Sequence, residues 1–125
     1  MTKFNGRKAL LVFSIAICSA CGKSLPGLKN IDREAWLADK NGCSGTRASS
    51  MAVLQQQKSD FLGLSEMEIV EVFGKPDRNE LYKRNQKFYY YYLQASPDCT
   101  TPTQNAQRLA IRFNAMGLAK EISIE

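Results

Sequence analysis

The chain contains no histidine. That removes Ser-His-Asp and Cys-His catalysis and the commonest metal ligand. Tryptophan occurs once and proline four times in 125 residues. The longest apolar run, Ala9 to Ala20, is about 12 residues, well short of the roughly 20 a helix needs to span a bilayer. Strong net charge is also missing from most of the chain. The formal charge is +5, but Lys3, Arg7 and Lys8 precede that run. Without residues 1–20, fourteen basic side chains face twelve acidic ones. So small an excess gives no support to nucleic-acid binding. Cys43-Ser44-Gly45 looks like a nucleophile turn but has no base to activate it. Gly22-Lys23-Ser24 ends like a phosphate-binding loop, yet Ile17 stands where its first glycine belongs. Two cysteines as far apart as Cys43 and Cys99 do not make a zinc site. Glu68 and Glu71 share a helix face, but solvation, with Lys75 four residues after Glu71, accounts for them. The chain reads as a non-enzyme with no cofactor.

What is present begins with a basic segment, a short apolar segment and small residues before a cysteine, the pattern of a secretory signal. Its end, Cys18-Ser19-Ala20-Cys21, resembles the lipobox of bacterial lipoproteins. Cys18 occupies the position where Leu or Val is usual. The resemblance implies cleavage after residue 20, a covalent lipid on Cys21 and attachment to a membrane. Gly22 in place of Asp favours the outer membrane under the sorting rule of enteric bacteria, with the domain facing the periplasm. Cys43 and Cys99 then remain as an even pair in an oxidising compartment. They are expected to form a disulfide; the alternative is two reduced, buried thiols.

The most determinate local chemistry lies in Phe61 to Asp77. Ser65 is a good N-cap, and Glu68 three residues later completes a capping box. Leu64 and Ile69 have the spacing of a hydrophobic staple. Gly74 suits the left-handed position after a helix, and Pro76 stops continuation. The spacing predicts helices over 32–41, 46–59 and 65–73. Strands are expected over 80–84, 87–93, 108–114 and 118–124. Asn85-Gln86 is expected to turn the first hairpin and Asn114 to Gly117 the second. Residues 21–30 read as a tether and 31–125 as one domain. Helices followed by strands predict an α+β fold, with N-terminal helices on one face of a three- to four-stranded antiparallel sheet in two layers.

Gly63-Leu64-Ser65, Val70 and Phe73-Gly74-Lys75-Pro76 resemble a pattern of the SmpA/OmlA (BamE-like) envelope lipoproteins. Leu109 to Gly117 resembles that family's last hairpin. Phe73 stands where the family has Leu, and residues 31–60 do not align. The resemblance implies the fold of the β-lactamase inhibitory protein, helices on an antiparallel sheet. For function it implies a lipid-anchored, protein-binding module in outer-membrane assembly or maintenance, with an envelope protein as partner. The alternative is an inhibitor-like domain capping a secreted hydrolase.

Tyr89 to Tyr92 is the most unusual composition. Alternation sends two of these tyrosines to each side of the sheet. Phe88/Tyr90/Tyr92 and Tyr89/Tyr91/Leu93 are nearly equal in apolarity. The reading places Phe88, Tyr90 and Tyr92 inside, and Tyr89 and Tyr91, with Tyr82, on a candidate partner surface. Lys75, Arg78, Lys83, Arg84 and Lys87 flank it. They suit anionic headgroups, although a solvated hairpin edge also accounts for them.

Overall fold

Ser65 starts the helix around which the domain packs. In a computed structural model, which describes residues 24–125, its hydroxyl accepts from the Glu68 amide at 3.2 Å, and the Glu68 carboxylate accepts from the Ser65 amide at 3.1 Å. The predicted capping box is therefore formed, and helix α3 runs Glu66–Phe73. Its far end is closed from outside. The Trp36 indole donates to the Phe73 carbonyl at 2.9 Å, and the Tyr91 hydroxyl to the Gly74 carbonyl at 2.8 Å. These bonds satisfy acceptors that a helix C-terminus leaves open. Gly74 has positive φ, 81°, but its ψ of −173° is extended and not left-handed helical. A Cβ there would also collide with Leu37.

Two further helices precede it, α1 (Arg33–Ala38) and α2 (Met51–Gln57). The expected helix over 46–59 is broken into 3-10 turns at Arg47–Ser50 and Lys58–Phe61 on either side of α2. The sheet follows: β1 (Arg78–Tyr82), β2 (Gln86–Tyr92), β3 (Arg108–Phe113) and β4 (Ala119–Ile124). All pairs are antiparallel, in the order β1-β2-β3-β4. The α+β architecture is as expected, with the helices on one face. A bulge at Arg112/Phe113 skips Lys120, so Ala119 and Ile122 both face the core.

The core joins Trp36, Phe61 and Phe73 to Tyr89, Tyr91, Ile111 and Phe113. Phe61 meets Phe73 edge-on at 4.8 Å, and Phe113 meets Tyr89 at 4.7 Å. This fixes the orientation of β2 and reverses the expected one. Tyr89, Tyr91 and Leu93 face the helices; Phe88, Tyr90 and Tyr92 face away.

Two loops also differ from expectation. The first hairpin turns at Arg84 and Asn85, both with positive φ (57° and 60°), and Gln86 already belongs to β2. Two consecutive positive φ values fit the right-handed twist of a hairpin, and Asn-Gly meets that demand at least cost. Arg84→Asn combined with Asn85→Gly is expected to raise stability by about 1 kcal/mol, the scale of left-handed strain in a residue other than glycine, read as a higher urea midpoint with unchanged slope. Secondly, the segment read as a tether is docked from Leu25 onward. Leu25 and Leu28 pack on the core. The Gln57 side-chain amide donates to the Gly27 carbonyl at 2.5 Å and accepts from the Lys29 amide at 3.3 Å.

Candidate interaction surface

The pairing register builds the outer face of the sheet. Tyr82 lies opposite Gln86, Phe88 opposite Arg112, Tyr90 opposite Ala110, and Tyr92 opposite Arg108. All of these side chains leave the sheet on the side away from the helices, because side-chain direction alternates and paired residues share a face. Phe88 and Tyr90 stack, with planes 2° apart and centroids at 5.6 Å; Tyr82 meets Phe88 edge-on at 5.4 Å.

Arginines cover the rest. The Arg108 guanidinium lies 3.7 Å from the Tyr90 ring centre, and Arg78 lies 5.8 Å from that of Tyr92. Each is within the range of cation–π attraction. Each also has a carboxylate: Arg108 with Glu125 at 3.2 Å, Arg112 with Glu121 at 3.1 Å, and Arg78 with Asp98 at 3.4 Å. Arg112 donates in addition to Gln86 at 2.6 Å. The face is thus aromatic and ionic at once, and its cations are largely balanced. Below the rim of this face, Tyr92, Pro97, Thr103, Asn105, Ala106 and Arg108 line a shallow cleft of about 410 Å³ with Glu125.

All four consecutive tyrosines are buried, by different means. Helices cover Tyr89 and Tyr91; arginines and neighbouring rings cover Tyr90 and Tyr92. Burial raises the Tyr89 hydroxyl pKa to about 12, assisted by its 3.0 Å hydrogen bond to the Glu66 carboxylate. Burial likewise pushes Tyr91 and Tyr90 upward. Of the sequence candidates for a partner surface, Tyr89 and Tyr91 are therefore core residues, and only Tyr82, 49% exposed, stays outside. The residues that take their place are Phe88, Arg108 and Arg112. Their signal was the alternation of Arg108, Ala110 and Arg112 against Leu109, Ile111 and Phe113.

Beneath one end of this face lies a buried joint. Arg47, 2% exposed, pairs with Asp77 at 2.7 Å, donates to the Trp36 carbonyl at 2.9 Å and lies 4.6 Å from the Trp36 ring centre. Asp77 also accepts from the Tyr92 amide at 2.8 Å and the Asn41 amide at 3.0 Å. Asp39 accepts from the Ser44 and Arg47 amides. Cys43 and Cys99 form the predicted disulfide beside it, with Cα atoms 5.5 Å apart. Gly42 is required here, since a Cβ would come within 2.5 Å of the Gln94 carbonyl oxygen. Every buried side-chain polar atom among the described residues has a partner. The joint is scaffold: it holds the end of β2, and hence Tyr92, in place.

Cys21 and the signal-like segment lie outside the described residues. Among the described residues, no three of Cys, Asp and Glu gather as metal ligands, and no helix is long and apolar enough to cross a membrane. Comparison with protein-family models, with curated proteins and with solved structures returns no match to this chain.

Proposed function

We propose that the protein is a lipid-anchored component of the bacterial cell envelope whose domain binds a protein partner through the outer face of its sheet. The observation that carries this reading is a sheet face that no helix covers, on which Tyr82, Phe88 and Arg112 stand beside Arg78 and Arg108, the two arginines that overlie the buried rings of Tyr90 and Tyr92. Tyrosine and arginine dominate interface hot spots, because each offers a large contact area together with a hydrogen-bonding end. Here their positions are fixed beforehand by stacking and ion pairs, which reduces the ordering cost of association. The balancing carboxylates argue against a phosphate-rich partner. The lipobox-like end at Cys21 supports the anchor, and the family resemblance supports a role in outer-membrane assembly or maintenance. No cofactor is invoked beyond the covalent lipid.

The test places a photo-crosslinking phenylalanine analogue at Phe88 or Tyr82 in the full-length, membrane-bound protein. Adducts with an outer-membrane assembly component are expected. Adducts with a soluble hydrolase would favour the inhibitor-like alternative. Adducts from Met67 on α3 but from neither sheet position would refute the outer face. Once a partner is in hand, Phe88→Asp is expected to weaken binding about tenfold or more, the scale of a hot-spot loss.

A further inference from the structure

Both hairpins turn at the same end of the sheet. Lys87 pairs with Phe113, so residues 83–85 and 114–118 lie side by side. The start of α3 is at that end too: Ser65 bridges to Leu118, Lys87 reaches Glu66 at 2.6 Å, and Gly63 and Leu64 exchange backbone hydrogen bonds with Ala119. This end gathers four of the exposed apolar side chains. Met116 is 84% exposed, Met67 77%, Leu62 48% and Leu118 38%. Around them Lys58, Lys83, Arg84 and Lys120 make no ion pair among the described residues. Glu66 and Glu68, the nearby carboxylates on α3, are engaged by Lys87 and by the capping box, and Glu121 by Arg112; Asp60, in the cleft beside Leu62, makes no ion pair among the described residues and offsets one of the four cations. Lys58 and Lys120 line a cleft together with Leu62.

The first described residues lie at this same end. Ser24, Leu25 and Pro26 share a cleft with Leu62, Gly63 and Leu64. Because the segment is docked from Leu25, only Gly22, Lys23 and Ser24 separate it from Cys21. Four Cα–Cα steps of about 3.8 Å reach no more than roughly 15 Å.

We infer that the hairpin end, with Leu62, Met116 and Leu118 at its tip, seats directly on the lipid surface to which Cys21 is attached. The inference rests on the proposed lipid anchor. A lipid on Cys21 leaves the domain too little chain to stand clear of the headgroups, and the end it presents has the chemistry of an interfacial contact. Apolar tips enter the headgroup boundary, and the surrounding lysines and arginine keep their stems in it and their charges at its edge. The sheet then stands on end on the bilayer. Its outer face opens sideways into the periplasm, available to a partner.

Full-length lipoprotein is reconstituted in phosphatidylethanolamine–phosphatidylglycerol vesicles carrying a nitroxide at a shallow acyl position. One fluorophore is attached through Leu62→Cys, Met116→Cys or, at the opposite end, Gln104→Cys; all three sites are exposed. Flotation with vesicles and a lipid-sized mass increment on the N-terminal peptide test the anchor independently. The expected result is flotation, strong quenching at positions 62 and 116, and little at 104. Flotation with equal quenching at all three positions, or none at any, overturns the seated orientation and leaves the anchor intact. Failure to float, with no added mass, refutes the anchor and the orientation together.

Discussion

Arg47→Met is expected to lower the unfolding free energy by about 3–5 kcal/mol, the usual cost of removing one partner from a buried ion pair. Arg47 and Asp77 are 2% and 4% exposed at their side chains and meet at 2.7 Å. Methionine fills most of the arginine's volume, so the loss is not chiefly a cavity. It comes from the Asp77 carboxylate, stranded where water cannot replace the guanidinium, and from the Trp36 and Tyr92 carbonyls that Arg47 served. For a domain of about 100 residues, a loss of this size lowers the thermal midpoint by more than about 12 °C. Adding Asp77→Asn should recover part of the loss, because the stranded charge is gone while one amide oxygen still accepts from a backbone N–H. Urea unfolding of the parent and both variants measures this. An Arg47→Met protein within about 1 kcal/mol of the parent would mean that Asp77 is rehydrated and that the joint is not the closed structure described.

Loss of the Cys43–Cys99 bond is expected to cost about 4 kcal/mol in the chain-entropy model, given the 56-residue separation of the two cysteines. The comparison is between the oxidised protein and Cys43→Ala/Cys99→Ala under the same denaturant. Cys43 is exposed and Cys99 half-buried, so mild reductant should reach the bond without global unfolding. An unmoved unfolding midpoint after complete reduction would contradict the prediction. The bond and the Arg47–Asp77 pair fasten the same segment, 39–47, to the same end of the sheet. Their effects should therefore not add. Once either is lost, part of the constraint supplied by the other disappears, because the Asn41 carbonyl accepts from the Ser96 amide at 2.9 Å between them.

The proposed surface and the proposed membrane seat occupy different parts of the domain. The sheet's outer face is held by cross-strand ion pairs and stacked rings. The hairpin end is held by the α3 capping box and by the hydrogen bonds of Gly63 and Leu64 to Ala119. Substitutions at Phe88 and at Met116 should consequently separate partner capture from bilayer contact.

Much of this was legible in the residues. The capping box of Ser65 and Glu68, the stop after Phe73, the Gly117 hairpin and the alternation in β3 are local devices, fixed by neighbours a few positions apart. The helix-then-strand order sufficed for the α+β architecture. The pairing of Cys43 with Cys99 followed from the expectation that the lipobox-like end removes Cys18 and occupies Cys21. The orientation of β2 was not legible. A period of two separates Tyr89/Tyr91 from Tyr90/Tyr92, but with both sets aromatic no contrast in polarity says which side meets the helices. Tertiary packing decided it, through Phe73, Trp36 and Phe113 on one side and the arginines of β1 and β3 on the other. Arg47 was equally hidden. A lone arginine inside the helix expected over 46–59 carries no local sign of burial; Asp77, 30 residues away, and the Tyr92 carbonyl, 45 away, enclose it. Residues 24–30 looked like a free tether because glycine, proline and polar residues dominate them; only the side chain of Gln57 and the core contacts of Leu25 and Leu28 show them docked. Local sequence determined the elements and their ends. Which faces were buried, and what covered them, depended on contacts between segments far apart in the chain, and only the folded structure contains those.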